Sequence, residues 1–224
     1  MDANIQNTKE LTKIEIDNME IKGKIYRGFK RIVDIVLGCI GLVVLSPIFL
    51  LLAICIKIDS KGPVIFAHKR IGKNGKEFKM YKFRSMYKNS EKMIENFSEE
   101  QKREWQENFK LENDPRITKV GKFLRKTSLD ELPQLLNIIQ GDLALIGPRP
   151  VVKSELEKYG ENAGKFLSVT PGLTGNWAAS GRSNTTYEER MEMELWYVDN
   201  ISFKTDLKIF FKTIIAVIKK EGAK

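Results

Sequence analysis

Ile35 to Ile56 reads IVLGCIGLVVLSPIFLLLAICI, 22 residues with no charge between Asp34 and Lys57. As a helix rising ~1.5 Å per residue it reaches about 33 Å, enough for the ~30 Å hydrocarbon core of a bilayer. Its middle is Leu45-Ser46-Pro47-Ile48. Proline there removes one helical hydrogen bond and frees the carbonyl of Val43, four residues back. In lipid that carbonyl has no water to turn to, and the Ser46 hydroxyl is the nearest donor. Lys22, Lys24, Arg27, Lys30 and Arg31 flank the run on one side, and Lys57, Lys61, Lys69, Arg70 and Lys73 on the other. Lys/Arg bias marks cytoplasmic flanks, so both ends read as cytoplasmic. A re-entrant helix that enters, breaks at Ser46-Pro47 and leaves by the same face satisfies the proline and the charge symmetry together. A cleaved signal peptide lacks its small-residue cleavage site, a straight span leaves the symmetry unexplained, and a core helix rarely stays apolar all round for this length.

The formal charge of +9 admits nucleic acid, an anionic membrane or a phosphorylated substrate as partner. The apolar run favours the membrane, where adjacent basic residues gain about 1 kcal/mol each from anionic lipid, so no nucleic-acid partner is required. Cys39 and Cys55 both lie inside that run, which excludes a disulfide framework or a zinc cluster. The single histidine, His68, excludes multi-histidine metal sites. What chemistry there is falls to carboxylates and a hard metal.

Four segments follow from the pattern: residues 1–28, a tail or surface helix; 29–58, the re-entrant helix; 59–201, a cytoplasmic domain; and 202–224, a basic amphipathic interfacial helix. The fold class is α+β, mostly α, with a small β-hairpin. The hairpin is signalled by Asn74-Gly75 between two alternating stretches, Pro63–Arg70 and Glu77–Arg84. Lys88–Leu111 reads as a solvated helical segment, with Met93, Phe97, Trp105 and Phe109 at helical spacing. Thr118 can cap a helix whose inner face is Val120, Phe123 and Leu124. In the last segment Phe203, Leu207, Phe210, Phe211, Ile214, Ile215 and Ile218 share one face, while Lys204, Lys208 and Lys212 repeat on another. Lipid or the domain core could cover that apolar face.

Leu132, Leu135, Leu136 and Ile139 fall at amphipathic spacing, and Gly141 fits a C-terminal cap. A Ser128-x-x-Glu131 capping box would push Pro133 to a position where its missing N–H is needed, so the pattern places Asp130 as N-cap. Asp130 and Glu131 then stand at a helix start, whose partial positive charge favours carboxylates and phosphate alike. Acidic residues there are also ordinary helix-capping chemistry. Further on, Pro148 and Pro150 hold Arg149 between them, a setting for gripping an anion or simply a rigid turn. Thr170–Ser183 collects glycines, Trp177 and Arg182, which suits a pocket or a plain turn.

The ordered set of Ser46-Pro47 in a basic-flanked apolar run, Tyr81-Lys82-Phe83-Arg84-Ser85-Met86, Ser128-Leu-Asp130-Glu131-Leu-Pro133-Gln134, Gly141-Asp142, Gly147-Pro148-Arg149-Pro150, Pro171-Gly172-Leu-Thr-Gly175 and Ser180-Gly181-Arg182 resembles the bacterial sugar transferases. These are monotopic polyprenyl-phosphate phosphoglycosyl transferases, and the resemblance spans about Lys30 to Lys212. It implies the short form, a catalytic unit on the cytoplasmic face of the bacterial inner membrane that initiates surface glycan synthesis. It further implies transfer of a sugar-1-phosphate from a UDP-sugar to undecaprenyl phosphate, release of UMP, a need for Mg²⁺ and contact with membrane lipid. A homo-oligomer is compatible with it. The roles implied are Asp130 as nucleophile, Glu131 as base, both as metal ligands, and Lys82, Arg84, Arg125, Pro148, Arg149, Pro150 and Arg182 around the substrate. Arg182–Arg190 and Leu195–Val198 resemble members that use hexose donors more than those that use acetamido sugars. The rival readings are a catalytically silent scaffold that binds a nucleotide-sugar or lipid phosphate and a membrane-anchored nucleic-acid binder. The chain has no Asp-x-Asp, which speaks against a metal-dependent enzyme that moves the sugar alone.

Overall fold

The computed structural model describes residues 2–108, 111, 113–180 and 185–219. The chain begins with helix α1 (Asp2–Asp59), which runs through both the expected tail and the apolar stretch. Backbone helicity persists through Ser46-Pro47, so the interruption there is one of hydrogen bonding and not of secondary structure. The Ser46 hydroxyl donates to the Val43 carbonyl at 2.8 Å, satisfying the acceptor that Pro47 orphans.

Strands β1 (Ile65–Ile71) and β2 (Glu77–Phe83) pair antiparallel. Their turn has Asn74 at φ 57° and Gly75 at φ 76°, two consecutive left-handed residues of the kind an Asn-Gly hairpin needs. Helix α2 (Glu99–Asn108) precedes α3 (Lys119–Thr127), and Thr118 caps α3 by accepting from Gly121 N–H at 2.9 Å. Phe97, expected on a solvated segment, is buried against Arg116, whose guanidinium lies 5.3 Å from the ring centroid. Leu124 is fully buried, but Phe123 is 54 % exposed and leaves the expected inner face.

Helix α4 (Gln134–Gln140) closes on Gly141 at φ 91°, the left-handed cap that glycine supplies. Short elements follow: β3 (Ala144–Ile146), α5 (Lys153–Leu156), α6 (Ala163–Phe166), β4 (Gly172–Thr174) and α7 (Asn176–Ala179). Parallel pairing of β3 with β4 was not foreseen. Gly147, Gly172 and Gly175 make it feasible. A Cβ on Gly172 would stand 2.1 Å from Gly147 N, and one on Gly175 2.2 Å from Gly147 O. Two long helices finish the domain, α8 (Tyr187–Asp199) and α9 (Phe203–Lys219).

One face of α1 fastens to this domain from Tyr26 to Asp59. At the near end Tyr26 and Lys30 bond Asp206 at 2.7 and 2.6 Å, Arg31 donates to the Ile138 and Ile139 carbonyls, and Asp34 accepts from Leu145 N–H at 3.1 Å. Gly38 and Gly41 let α4 approach closely, since a Cβ on either would lie 3.2 Å from Ile139 or Leu135. Past Pro47, Phe49, Leu52 and Ile56 join Phe83, Leu124, Leu129 and Leu132 in one cluster. Each fully buried aliphatic side chain there contributes about 1.5–3 kcal/mol. At the far end Asp59 accepts from Val120 N–H at 3.1 Å.

The other faces of α1 stay bare. Val43, Leu50 and Ile58 are 73 %, 66 % and 81 % exposed. On α9 the inward residues are Asp206 and Ile209, while Phe203, Leu207, Phe210, Phe211, Ile214 and Ile215 remain exposed. Within the domain, then, the core does not cover that apolar face; the side chain of Ile218 lies outside the described residues.

Arg84, expected beside the substrate, lies at the end of α1. It is buried and donates through one nitrogen to Ile56 O, Ser60 O and Ser60 Oγ at 3.1, 2.7 and 3.0 Å, latching the end of α1. Its place in a strand among charged residues resembled an anion-binding pattern, and only the fold reveals the carbonyls it meets. Arg84→Ala should cost about 2 kcal/mol, lowering the melting temperature in detergent by roughly 4–8 °C. A variant with wild-type melting but no turnover would return Arg84 to the substrate site.

Candidate active site

Asp130 and Glu131 sit on a single 3-10 turn, Leu129–Glu131, between α3 and α4. Ser128 is left-handed at φ 57° because its N–H closes α3 on the Leu124 and Arg125 carbonyls. It therefore lacks the extended backbone of an N-cap, and neither the capping box nor Asp130 as N-cap is formed; Pro133 directly precedes α4. The turn is fixed from below by Leu129 and Leu132, packed on the Phe49–Ile56 stretch of α1.

Lys82, projecting from β2, bonds Glu131 at 2.8 Å and lies 3.9 Å from Asp130. Asp130 is 8 % exposed, and burial pushes its carboxyl above the ordinary aspartate range. Lys82 and Arg125 pull it back toward ionisation, while the like charge of Glu131 opposes them. Arg125 is itself oriented by Ser85 Oγ, which accepts from its Nε at 2.9 Å. The result is a desolvated carboxyl group held among fixed cations.

Arg149 completes this side, close enough to Glu131 to feel its charge. Its side chain is exposed, with the guanidinium 5.5 Å from the Trp177 ring centroid. Pro148 and Pro150, expected beside the substrate, are buried and act as supports. The Pro148 carbonyl accepts from Gly172 N–H at 2.8 Å. Arg182 lies outside the described residues.

A second group of site residues escaped the sequence reading. Arg190 on α8 stacks 4.8 Å from Trp177 and meets Glu155 at 3.4 Å; Arg70 on β1 meets the same carboxylate at 3.2 Å. His68 shares the inward hairpin face with Arg70 and Lys82, and burial followed by Arg70's charge lowers its pKa. Glu194, fully buried, accepts the Arg149 N–H at 3.1 Å. The available signals were the i, i+4 pair Arg190/Glu194 behind a Thr186-x-x-Glu189 capping box and the i, i+2 pair His68/Arg70.

Two adjacent carboxylates beneath several arginines can receive a diphosphate, attack it and stabilise the charge that moves. Among the described residues no group of three or more His, Cys, Asp or Glu converges to cage a metal. The pair itself suits Mg²⁺, which takes one or two carboxylates and completes its shell with water and substrate oxygens.

Glu194 gives a pH signature. Burial pushes its carboxyl up to about 7 from the ordinary 4.5, against the pull of the Arg149 N–H and two arginines. The fold thus favours the protonated form; its stabilisation is complete below pH 4.5 and is lost as pH rises through about 7. Glu194→Gln, which can still accept from Arg149, should gain stability relative to wild type between about pH 5 and about pH 8. Parallel melting curves with no such crossover would contradict the assignment.

A model of the family described as bacterial sugar transferase matches residues 25–220. An uncharacterized sugar transferase of Haemophilus influenzae is 47 % identical over 200 residues, covering 88 % of this chain and 42 % of the relative. Undecaprenyl-phosphate galactose phosphotransferase of Salmonella typhimurium is 44 % identical over 200 residues, again 88 % and 42 %. The chain thus spans less than half the length of these two relatives. Exopolysaccharide production protein ExoY of Rhizobium meliloti is 46 % identical over 197 residues, with 87 % of each chain covered. By the family match over most of its length and its identity to ExoY, the chain belongs to the bacterial sugar transferase family.

Proposed function

We propose that this protein transfers a sugar-1-phosphate from a UDP-sugar to undecaprenyl phosphate on the cytoplasmic face of the inner membrane, as the first step of a surface glycan. The observation that carries this is the buried Asp130–Glu131 turn, bridged by Lys82 and faced by Arg149 and Arg125, mounted on an apolar helix whose outer faces are bare. Asp130 attacks the phosphorus that bears the sugar, forming an acyl phosphate and breaking the bridging P–O bond; UMP leaves with that oxygen. Undecaprenyl phosphate then attacks the same phosphorus, the acyl–phosphate bond breaks, and the Asp130 carboxylate is restored. Glu131 accepts the proton of the lipid phosphate, and Lys82, Arg125 and Arg149 offset the charge of the two anions. Mg²⁺, held by Asp130 and Glu131, would neutralise diphosphate charge. We take the donor to be a UDP-hexose, in line with the galactose named for the Salmonella relative.

The monotopic arrangement is part of this reading. Asp206 and Ile138–Leu145 hold the start of the apolar helix, and Val120 and Arg84 hold its end, so one domain grips both. From Tyr26 to Asp59 a straight helix would run about 50 Å, longer than the ~30 Å hydrocarbon core. A straight span would carry half of those contacts to the far side. Entry and exit by one face keeps them all.

With UDP-hexose and Mg²⁺ but no lipid acceptor, intact-protein mass spectrometry after acid quench should show a hexose-phosphate increment that undecaprenyl phosphate discharges. Asp130→Asn should abolish it, with turnover down by roughly 10³-fold or more. Turnover by wild type without an adduct, together with an active Asp130→Asn, would replace the covalent route by direct attack of the lipid phosphate; a silent scaffold would release no UMP. Arg149→Ala should fold normally and lose roughly 10²-fold in turnover; wild-type kinetics would remove it from the site.

A further inference from the structure

We propose that a cavity at the base of α1, ringed by Arg27, Lys30, Arg31 and Lys73, is a second anion site that takes the phosphate headgroup of an anionic membrane phospholipid. The cavity holds about 220 Å³ and is floored by Leu143, Ala144 and Val169. It rests on the membrane-bound reading above but not on the chemistry at Asp130. Gly141 lies on its wall, so it opens at the C-terminal end of α4, whereas the carboxylates precede the N-terminal end of that helix.

Charge accounting separates wall from rim. Lys30 is committed to Asp206 at 2.6 Å, Arg31 to the carbonyls that end α4, and Asp34 accepts the Leu145 N–H. Arg27 and Lys73 are exposed and, among the described residues, have no ion pair or side-chain hydrogen bond. Four cations against Asp34 and Asp206 leave the cavity net positive. Solvated surface cations need no ligand, but these two come from opposite sides of the apolar run, from α1 and the hairpin turn, and converge on one concavity.

Depth identifies the anion's source. Arg27 to Asp34 occupy the turns just before the uncharged run at Ile35. Ile25, Phe29, Ile32 and Val36 on the neighbouring faces are 67 %, 53 %, 63 % and 49 % exposed. The nearby start of α9, tied in through Asp206, adds the exposed Phe203 and Leu207. A cavity bracketed by bare apolar side chains lies where headgroup phosphates meet a membrane-seated helix, and arginine suits that anion.

The test uses the full chain, extracted from nanodiscs of phosphatidylcholine with or without phosphatidylglycerol and examined by native mass spectrometry. Wild type should retain one phosphatidylglycerol. The Arg27→Gln/Lys73→Gln variant should bind it roughly tenfold or more weakly. The charge-matched control Lys88→Gln/Arg103→Gln should keep it. Equal retention by both variants would reduce the effect to general surface charge and overturn the site. Displacement by inorganic phosphate would assign the cavity to a soluble anion and overturn the lipid. UMP release by the cavity variant in detergent with undecaprenyl phosphate should match wild type; its loss in a folded variant would place the cavity on the acceptor's path and overturn its separateness. A wild type that retains phosphatidylglycerol but releases no UMP would sink the proposed activity and leave this site standing.

Discussion

The structure depends on one seam, the single face of α1 that the domain grips from Tyr26 to Asp59. Polar bonds close it at both ends, through Asp206, Arg31 and Asp34 at the start and through Arg84 and Asp59 at the finish. Between them the packing is apolar and close, helped by Gly38 and Gly41 against α4. Everything off the seam is free to be wet by lipid, and the exposed apolar side chains of α1, Leu136, Phe123 and α9 have that character. Burial of such groups is worth about 25 cal/mol per Å², so leaving them bare in water would be costly across this much surface.

The same seam places the chemistry. Leu129 and Leu132 bracket the carboxylate pair and pack on the half of α1 that follows Pro47, so the 3-10 turn is referenced to the membrane helix directly. Desolvation there makes Asp130 more basic, and Lys82 reaches both acids, 2.8 Å from Glu131 and 3.9 Å from Asp130. On the other wall Glu155 pairs with Arg70 and Arg190, Glu194 accepts the Arg149 backbone N–H, and Trp177 offers Arg149 and Arg190 a stacking surface. Such an arrangement is preorganised positive charge, the kind of setting that stabilises displacement at phosphorus.

Local rules carried the reading where one short segment determined the outcome. The Asn74-Gly75 turn, the Thr118 cap, the Gly141 cap and the Ser46 bond to Val43 follow from dihedral preference and unsatisfied backbone groups, and they formed as expected. Legibility stopped where partners come from distant segments. Nothing local tells that Arg84 faces the end of α1, that Ser128 closes α3 and cannot open α4, or that Gly147 meets Gly172 backbone to backbone. Phe123 fell outside the core because helical spacing says which residues share a face, not whether protein or lipid covers it. Asp130, Glu131, Lys82, Arg125 and Arg149 were legible as motif residues, whereas Arg70, Glu155, Arg190 and Glu194 required the fold to bring β1, α5 and α8 together.

That α1 has both ends on one side of the membrane is the claim on which the placement of the whole site rests. It is tested most directly by single cysteines at Arg27 and Lys61 in a chain whose Cys39 and Cys55 are serine, probed in intact spheroplasts with a membrane-impermeant maleimide. The account predicts that neither position labels until the membrane is permeabilised, and then both do. Labelling of one from outside while the other stays protected would make α1 a transmembrane span and contradict the seam as the organising contact of the native protein.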